Sequence, residues 1–212
     1  ANDNLSTNEN TFIGSQSGAS NTDGQGNVAT GRISLFTNID GDYNVAIGTG
    51  SLYFNDSGNN NVATGYASLF RNTTGNANVA TGPQSLWNNT TGNNNIAMGV
   101  NAGDLISIGS NNTFLGSNSD ANANNLTNAT AIGANAVVTS DSTIQLGDNT
   151  NIEFDRALMP GGNAGTANQV LQSNGPNNAP TWVNGGGASA WSLTGNAGTN
   201  PTSNFIGTTD AQ

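Results

Sequence analysis

The chain contains no cysteine and no histidine, and its three basic residues, Arg32, Arg71 and Arg156, leave it without lysine. These absences together remove thiol and imidazole nucleophile–base systems, Schiff-base lysine chemistry and the common zinc sites. Large side chains are scarce as well. The apolar and aromatic types make up 33% of 212 residues, much of it alanine, which is too little to fill a wide interior. With so few cations and a formal charge of -10, the chain has no surface suited to the phosphates of nucleic acid or of an anionic bilayer. No apolar run approaches the roughly 20 residues of a membrane span, so direct insertion is not expected. The opening Ala1-Asn2-Asp3-Asn4 lacks the features of a signal peptide and an initiator methionine, so a trimmed or processed end is expected.

What the sequence does hold is a period. Its 29 glycines lack the every-third spacing of collagen. Instead Gly14, Gly31, Gly48, Gly65, Gly82, Gly99, Gly116 and Gly133 follow one another at intervals of 17. Most close the same phrase, as in Asn27-Val28-Ala29-Thr30-Gly31, Asn44-Val45-Ala46-Ile47-Gly48 and Asn95-Ile96-Ala97-Met98-Gly99. A second series, Gly24, Gly41, Gly58, Gly75, Gly92 and Gly109, keeps the same period, and Ser-Leu-aromatic phrases ending in Phe36, Tyr53, Phe70 and Trp87 lie between. Seventeen residues are too few for a helix-containing repeat. They suit two short strands and two corners, in which each coil pairs its backbone with the coils on either side. The first glycine series is predicted to form the structural turns, at positive φ or at close approach between coils.

Residue size sets the expected width. Strand alternation turns Val28 and Thr30 one way and Ala29 the other, which predicts a thin core filled from the aliphatic side and an alanine side open to close approach by a second layer or chain. Seven intervals at ~4.8 Å each predict a rod of about 34 Å. Such a rod buries little surface per residue, so association is expected; thinness alone fits a dimer or a trimer.

The repeated Asn-Val-Ala-Thr/Ile-Gly phrase, with Ser-Leu-aromatic between copies, resembles the head repeats of trimeric autotransporter adhesins, the YadA-like left-handed parallel β-roll. It is also similar to repeats of phage and phage-tail-like fibre proteins. The resemblance covers about residues 10–147 and implies an all-β homotrimeric roll of about eight 17-residue coils, although the usual adhesin repeat is nearer 14, a length found here only from Gly133 to Gly147. Gly165-Thr166-Ala167-Asn168-Gln169-Val170-Leu171-Gln172, with Thr181-Trp182-Val183 and then Trp191-Ser192-Leu193-Thr194-Gly195, resembles modules of Bacteroidetes-type fibres. In such proteins more stalk and a self-cleaving chaperone follow, so a fragment or processed portion is expected. The resulting organisation is a polar lead-in at 1–9, the roll at 10–147, a neck or cap at 148–160, a glycine-rich fibre module and hinge at 161–187, and the start of a further module at 188–212.

The resemblance implies a structural and adhesive segment of an extracellular fibre, on a virion, a tail-like particle or a bacterial surface. It would meet a cell-surface glycan or protein receptor and be held by a baseplate, capsid or membrane anchor. A passive spacer, with recognition elsewhere, is the alternative. At equal spacing Phe36, Tyr53, Phe70 and Trp87 are predicted to form an aromatic ladder, either an exposed grip for glycans or hydrophobic receptors or, as the plainer reading, a core or interchain seam. Thr30, Thr64 and Thr81 also share a register. Ice binding would need an unbroken threonine rank, and Ile47 and Met98 interrupt it, which favours inward or seam packing. Asp23, Asp40, Asp42, Asp56, Asp104 and Asp120 fall near turns where calcium could be held, but solvated turn acids are the expectation, and no cofactor is required. Glycan cleavage would need paired carboxylates; Glu9 and Glu153 are remote in sequence, and an enzyme is not expected. From Ala121 to Asn128 the glycine corner is replaced, which predicts a looser loop.

Overall fold

A computed structural model describes residues 9–148, 166, 169–174 and 180–184, in two units that divide after Ile152. All the regular elements among these residues are strands. In chain order the first unit holds β1 (Thr11–Ile13), β2 (Val28–Thr30), β3 (Val45–Ile47), β4 (Val62–Thr64), β5 (Val79–Thr81), β6 (Ile96–Met98), β7 (Thr113–Leu115), β8 (Asp120–Ala121), β9 (Thr130–Ile132), β10 (Val137–Val138) and β11 (Ile144–Leu146). Nine of them form one sheet in the order β1-β2-β3-β4-β5-β6-β7-β9-β11, and β8 pairs with β10. All these pairs are parallel and in register, with Val28 opposite Val45 and Val45 opposite Val62, so each repeat is one turn of a β-solenoid. The step from Thr130 to its partner Ile144 is the one shorter coil. Eight inter-strand steps at ~4.8 Å make the sheet about 38 Å long.

Only one of the two expected strands forms in the regular coils. The Ser-Leu-aromatic segment is a run of turns, because two of its residues take left-handed backbone: Ile33 and Leu35 have φ of 52° and 48°. Such angles break the pleat that a strand requires. The segment still bonds from coil to coil, as where the Leu35 amide donates to the Ser51 carbonyl at 2.9 Å and that of Leu52 to Ser68 at 3.0 Å.

The alanine side, not the aliphatic side, is the core. Ala29, Ala46, Ala63, Ala80 and Ala97 are fully buried and meet Leu35, Leu52, Leu69 and Leu86 in one cluster. A coil this narrow leaves room for one methyl beneath each strand and one leucine opposite, so the β-branched residues are turned out. Where the core changes, it does so by size exchange. Phe12 and Phe114 stand in the alanine register, and Gly18 and Gly103 in the leucine register. A Cβ on Gly103 would lie 2.7 Å from the Phe114 ring and 2.9 Å from Leu86, and one on Gly18 would lie 2.5 Å from Phe12.

Buried asparagines join the coils. Asn61 donates through Nδ2 to the Gly75 carbonyl at 2.8 Å, and its Oδ1 accepts from the Asn78 amide at 3.0 Å. The same pair of bonds recurs along Asn10, Asn27, Asn44, Asn78, Asn95 and Asn112. A second rank, Asn38, Asn55, Asn72 and Asn89, passes Nδ2 bonds of 2.6–2.8 Å to the Oδ1 of the asparagine one coil back. Among the described residues no buried side-chain nitrogen or oxygen lacks a partner.

The first-series glycines have φ between 116° and 139°. At Gly65 a Cβ would fall 2.7 Å from the Gly82 carbonyl group, so both the backbone angle and the neighbouring coil require glycine there. The looser loop expected at 121–128 is absent. Leu126 takes the corner register, its carbonyl accepts from Asn112 Nδ2 at 2.7 Å, and the Asn124 carbonyl receives the amides of Ser107, Ile108 and Gly109.

In the second unit β12 (Gln169–Gln172) pairs antiparallel with β13 (Thr181–Asn184), setting Leu171 opposite Trp182. Residues 1–8 of the expected lead-in at 1–9, residues 149–160 of the neck or cap at 148–160, most of the glycine-rich module and hinge at 161–187, and the further module at 188–212 lie outside the described residues.

The size exchange gives a direct test. Gly103→Leu alone should overpack and lose about 1–3 kcal/mol, and Phe114→Ala alone should leave a cavity costing about 3–5 kcal/mol. The double variant recreates the Leu/Ala pairing of the regular coils. Urea unfolding should place it nearer the parent than Phe114→Ala is, a coupling of ~1–3 kcal/mol.

Candidate functional site

Two surfaces of the solenoid carry chemistry beyond its own packing. The first is the outer face of the nine-stranded sheet. One column runs Thr11, Val28, Val45, Val62, Val79, Ile96, Thr113, Thr130 and Ile144, and the other runs Ile13, Thr30, Ile47, Thr64, Thr81, Met98, Leu115, Ile132 and Leu146. Neither column contains a charge, and side chains such as Ile47 and Met98 are exposed to 43% and 45%. Thr30, Thr64 and Thr81 therefore point outward, not into the core, and Ile47 and Met98 interrupt their column, so no unbroken threonine rank forms.

The second surface lies along the Ser-Leu-aromatic segments. Phe36, Tyr53, Phe70 and Trp87 stack ring on ring, with centroids 5.0, 5.1 and 4.6 Å apart and planes within 18° of parallel. Phe54 meets Tyr53 and Phe70 edge-on. All four stacked rings are half-buried, so the ladder is not part of this chain's core. The column ends one coil beyond Trp87, where the same register holds Asp104.

At that end a groove of about 280 Å³ opens between Gln84, Trp87, Asn88, Asn101 and Asp104. Asn88 Nδ2 donates to the Asp104 carbonyl at 2.9 Å and to its Oδ1 at 3.3 Å, which orients the carboxylate. Partial burial raises the Asp104 pKa, and the opposing charge of Arg71 offsets some of that rise. Asp120 lies deeper. Burial, with a smaller contribution from the Asp104 charge, pushes its pKa up to about 6 despite hydrogen bonds from the Ala121 and Leu105 amides.

The other turn acids are dispersed. Asp42 accepts from the Gln25 amide at 2.8 Å, and among the described residues no group of three or more acidic side chains is placed to hold a metal ion. Glu153 is outside the described residues. The groove was not anticipated from sequence, where Asp104 reads as one more turn acid. The available signal was the register, since Asp104 follows Trp87 by one period and Asn101 follows Gln84 by one. Comparison with protein-family models, curated proteins and solved structures finds no match.

The acids predict a pH dependence with a definite sign. Because the folded pKa of Asp120 lies above its ordinary 3.8, the folded chain binds more protons than the unfolded chain between those values. Its contribution to stability is thus fullest below the ordinary value and is lost as pH rises through about 6. Thermal melts from pH 4 to 7, on the order of the range these shifts span, should decline less for Asp120→Asn than for the parent chain.

Proposed function

We propose that this chain is a structural and adhesive segment of an extracellular trimeric fibre, a rod that carries a receptor-binding surface away from the particle or cell bearing it. The observation that carries this reading is the pair of uncharged aliphatic columns running the length of the sheet over a core made mainly of alanine and leucine. A single chain turns its bulkier β-branched side chains toward water and its methyls inward. That arrangement suits a structure whose larger core lies between chains. The occupant that best matches the face is another copy of the chain. Identical chains share the rise per coil, so columns can meet rung for rung, and a chain of net charge -10 can approach itself here without opposing like charges.

The resemblance to adhesin and tail-fibre repeats supports three chains over two. It also supports an extracellular setting, on a virion, a tail-like particle or a bacterial surface. Three identical chains would present each contact three times, so weak individual contacts gain by avidity. The reading requires no bound metal or cofactor.

Light scattering on the purified chain should give three times the 21.3 kDa chain mass. Val62→Asp with Val79→Asp, placed mid-sheet, should reduce the mass to that of one chain, whereas Thr74→Asp in an exposed corner should not. A parent chain that stays monomeric would sink the fibre reading, and a dimer would sink its threefold form.

A further inference from the structure

We propose that the solenoid has a proton-sensitive joint at Asp120, beyond which the last two coils open as a unit of their own, held shut in acid and slackened toward neutral pH. The joint follows from a change in how neighbouring coils are bonded on the turn side. In the regular coils that side is a backbone ladder: the Thr37, Phe54 and Arg71 amides donate to the Tyr53, Phe70 and Trp87 carbonyls at 3.0–3.1 Å. Two periods after Arg71 the equivalent amide, that of Leu105, donates instead to the Asp120 carboxylate, at 3.2 Å from each oxygen. Asp120 Oδ1 also accepts from the Ala121 amide at 2.8 Å. A side-chain anion stands where the regular coils use a main-chain carbonyl.

The substitution has a local cause. In the regular coils the inward leucine sits on left-handed backbone, as at Leu86 with φ of 49°. Asp120 shares that register but lies in β8, so strand alternation turns Ala121 inward and leaves the Asp120 carboxylate to meet the preceding coil. Other ties lapse at the same place. Asn89 closes its rank, since Ile106 and Ala123 follow in its register, and Asn112 closes the other, with Ala129 after it. Past Asn112 the coils are joined mainly by the pairing of β7, β9 and β11, the β8–β10 pair and a small core around Leu126 and Val138. Each coil of a repeat array depends on its nearest neighbours, so the array divides where the links between neighbours change.

The groups around Asp120 make the joint respond to protons. From the coil before, it meets Asp104, a like charge; Arg71 acts on Asp104, not on Asp120. From the coil after, β10 brings Val137 and Val138 and no titratable side chain. Asp141 lies at another corner, where it accepts from the Thr127 amide at 2.7 Å. Ionising Asp120 therefore places a second carboxylate in a half-buried joint with no cation of its own, and burial keeps the proton on it up to about pH 6. The closed joint holds that proton more tightly than the open one, so closure is strongest in acid and weakens as pH rises through about 6. The joint is built within one chain and does not depend on the fibre reading.

Hydrogen exchange followed by NMR on the whole chain tests the joint, with each rate set against its intrinsic value at the same pH so that base catalysis cancels. The Asp120, Asn122 and Thr130 amides, bonded to the Ala136, Val138 and Thr143 carbonyls, report on the last coils, and the Val45, Val62 and Val79 amides report on the regular ones. The first group should share one protection factor, about tenfold or more below that of the second. Between about pH 5 and about pH 7 that shared factor should fall about tenfold, as a pKa raised from 3.8 to about 6 requires. Asp120→Asn should abolish the fall and Asp104→Asn should shrink it, while Asp141→Asn should leave it unchanged. If Asp120→Asn fails to fold, the parent profile and Asp104→Asn decide. One protection factor for the whole chain, a graded loss from coil to coil, or a fall that is missing or that survives Asp120→Asn would each overturn the proposal.

Discussion

Each corner of this solenoid closes on a carbonyl that its own coil cannot satisfy in full. The Gly75 carbonyl takes its bonds from Asn61 and Asn72, one reaching across from the coil before and one from within. Removing Asn61 would strand the buried Asn78 amide, at a cost of about 1–3 kcal/mol, and leave the Gly75 carbonyl with the Asn72 bond alone. Because every link is shared by neighbours, the coils must hold one register, and that register places everything else: glycine where backbones nearly touch, alanine beneath the strands, leucine opposite, and the aromatic column outside.

Narrowness follows from the same links. Asparagine is short, so corners tied through it draw the two sides of a coil close together. The space left accepts one methyl and one isobutyl group per turn. Phe12 with Gly18, and Phe114 with Gly103, keep the total nearly constant while changing which side supplies it. The outward aliphatic columns are the complement of that narrow interior, since β-branched side chains that do not fit inside still favour strands.

Much of this was legible in the sequence, because glycine at an unbroken interval reports a backbone requirement that other residues cannot meet. The coil length, the in-register pairing and the stacking of Phe36, Tyr53, Phe70 and Trp87 all follow from spacing. The direction of the strand faces did not. Alternation separates Val28 from Ala29 but leaves open which side is interior, and the deciding fact, the corner-to-corner distance set by buried asparagines, belongs to packing. The Ser-Leu-aromatic phrase has a strand-like composition, whereas Ile33 and Leu35 hold left-handed backbone that composition does not reveal. Leu126 in place of a corner glycine looked like a lost corner, yet the bond there uses a carbonyl, which every residue has. The groove escaped notice because it depends on where a column ends.

The aromatic column also sets a scale of length. The turns that carry it share one register, so inserting or removing a whole coil would move Trp87 and its groove along the axis by one rise of ~4.8 Å and leave every other pairing unchanged. An insertion of any other length would break the asparagine ranks at once. Reach in this architecture is therefore quantised, and it can change in whole steps without redesign of the core.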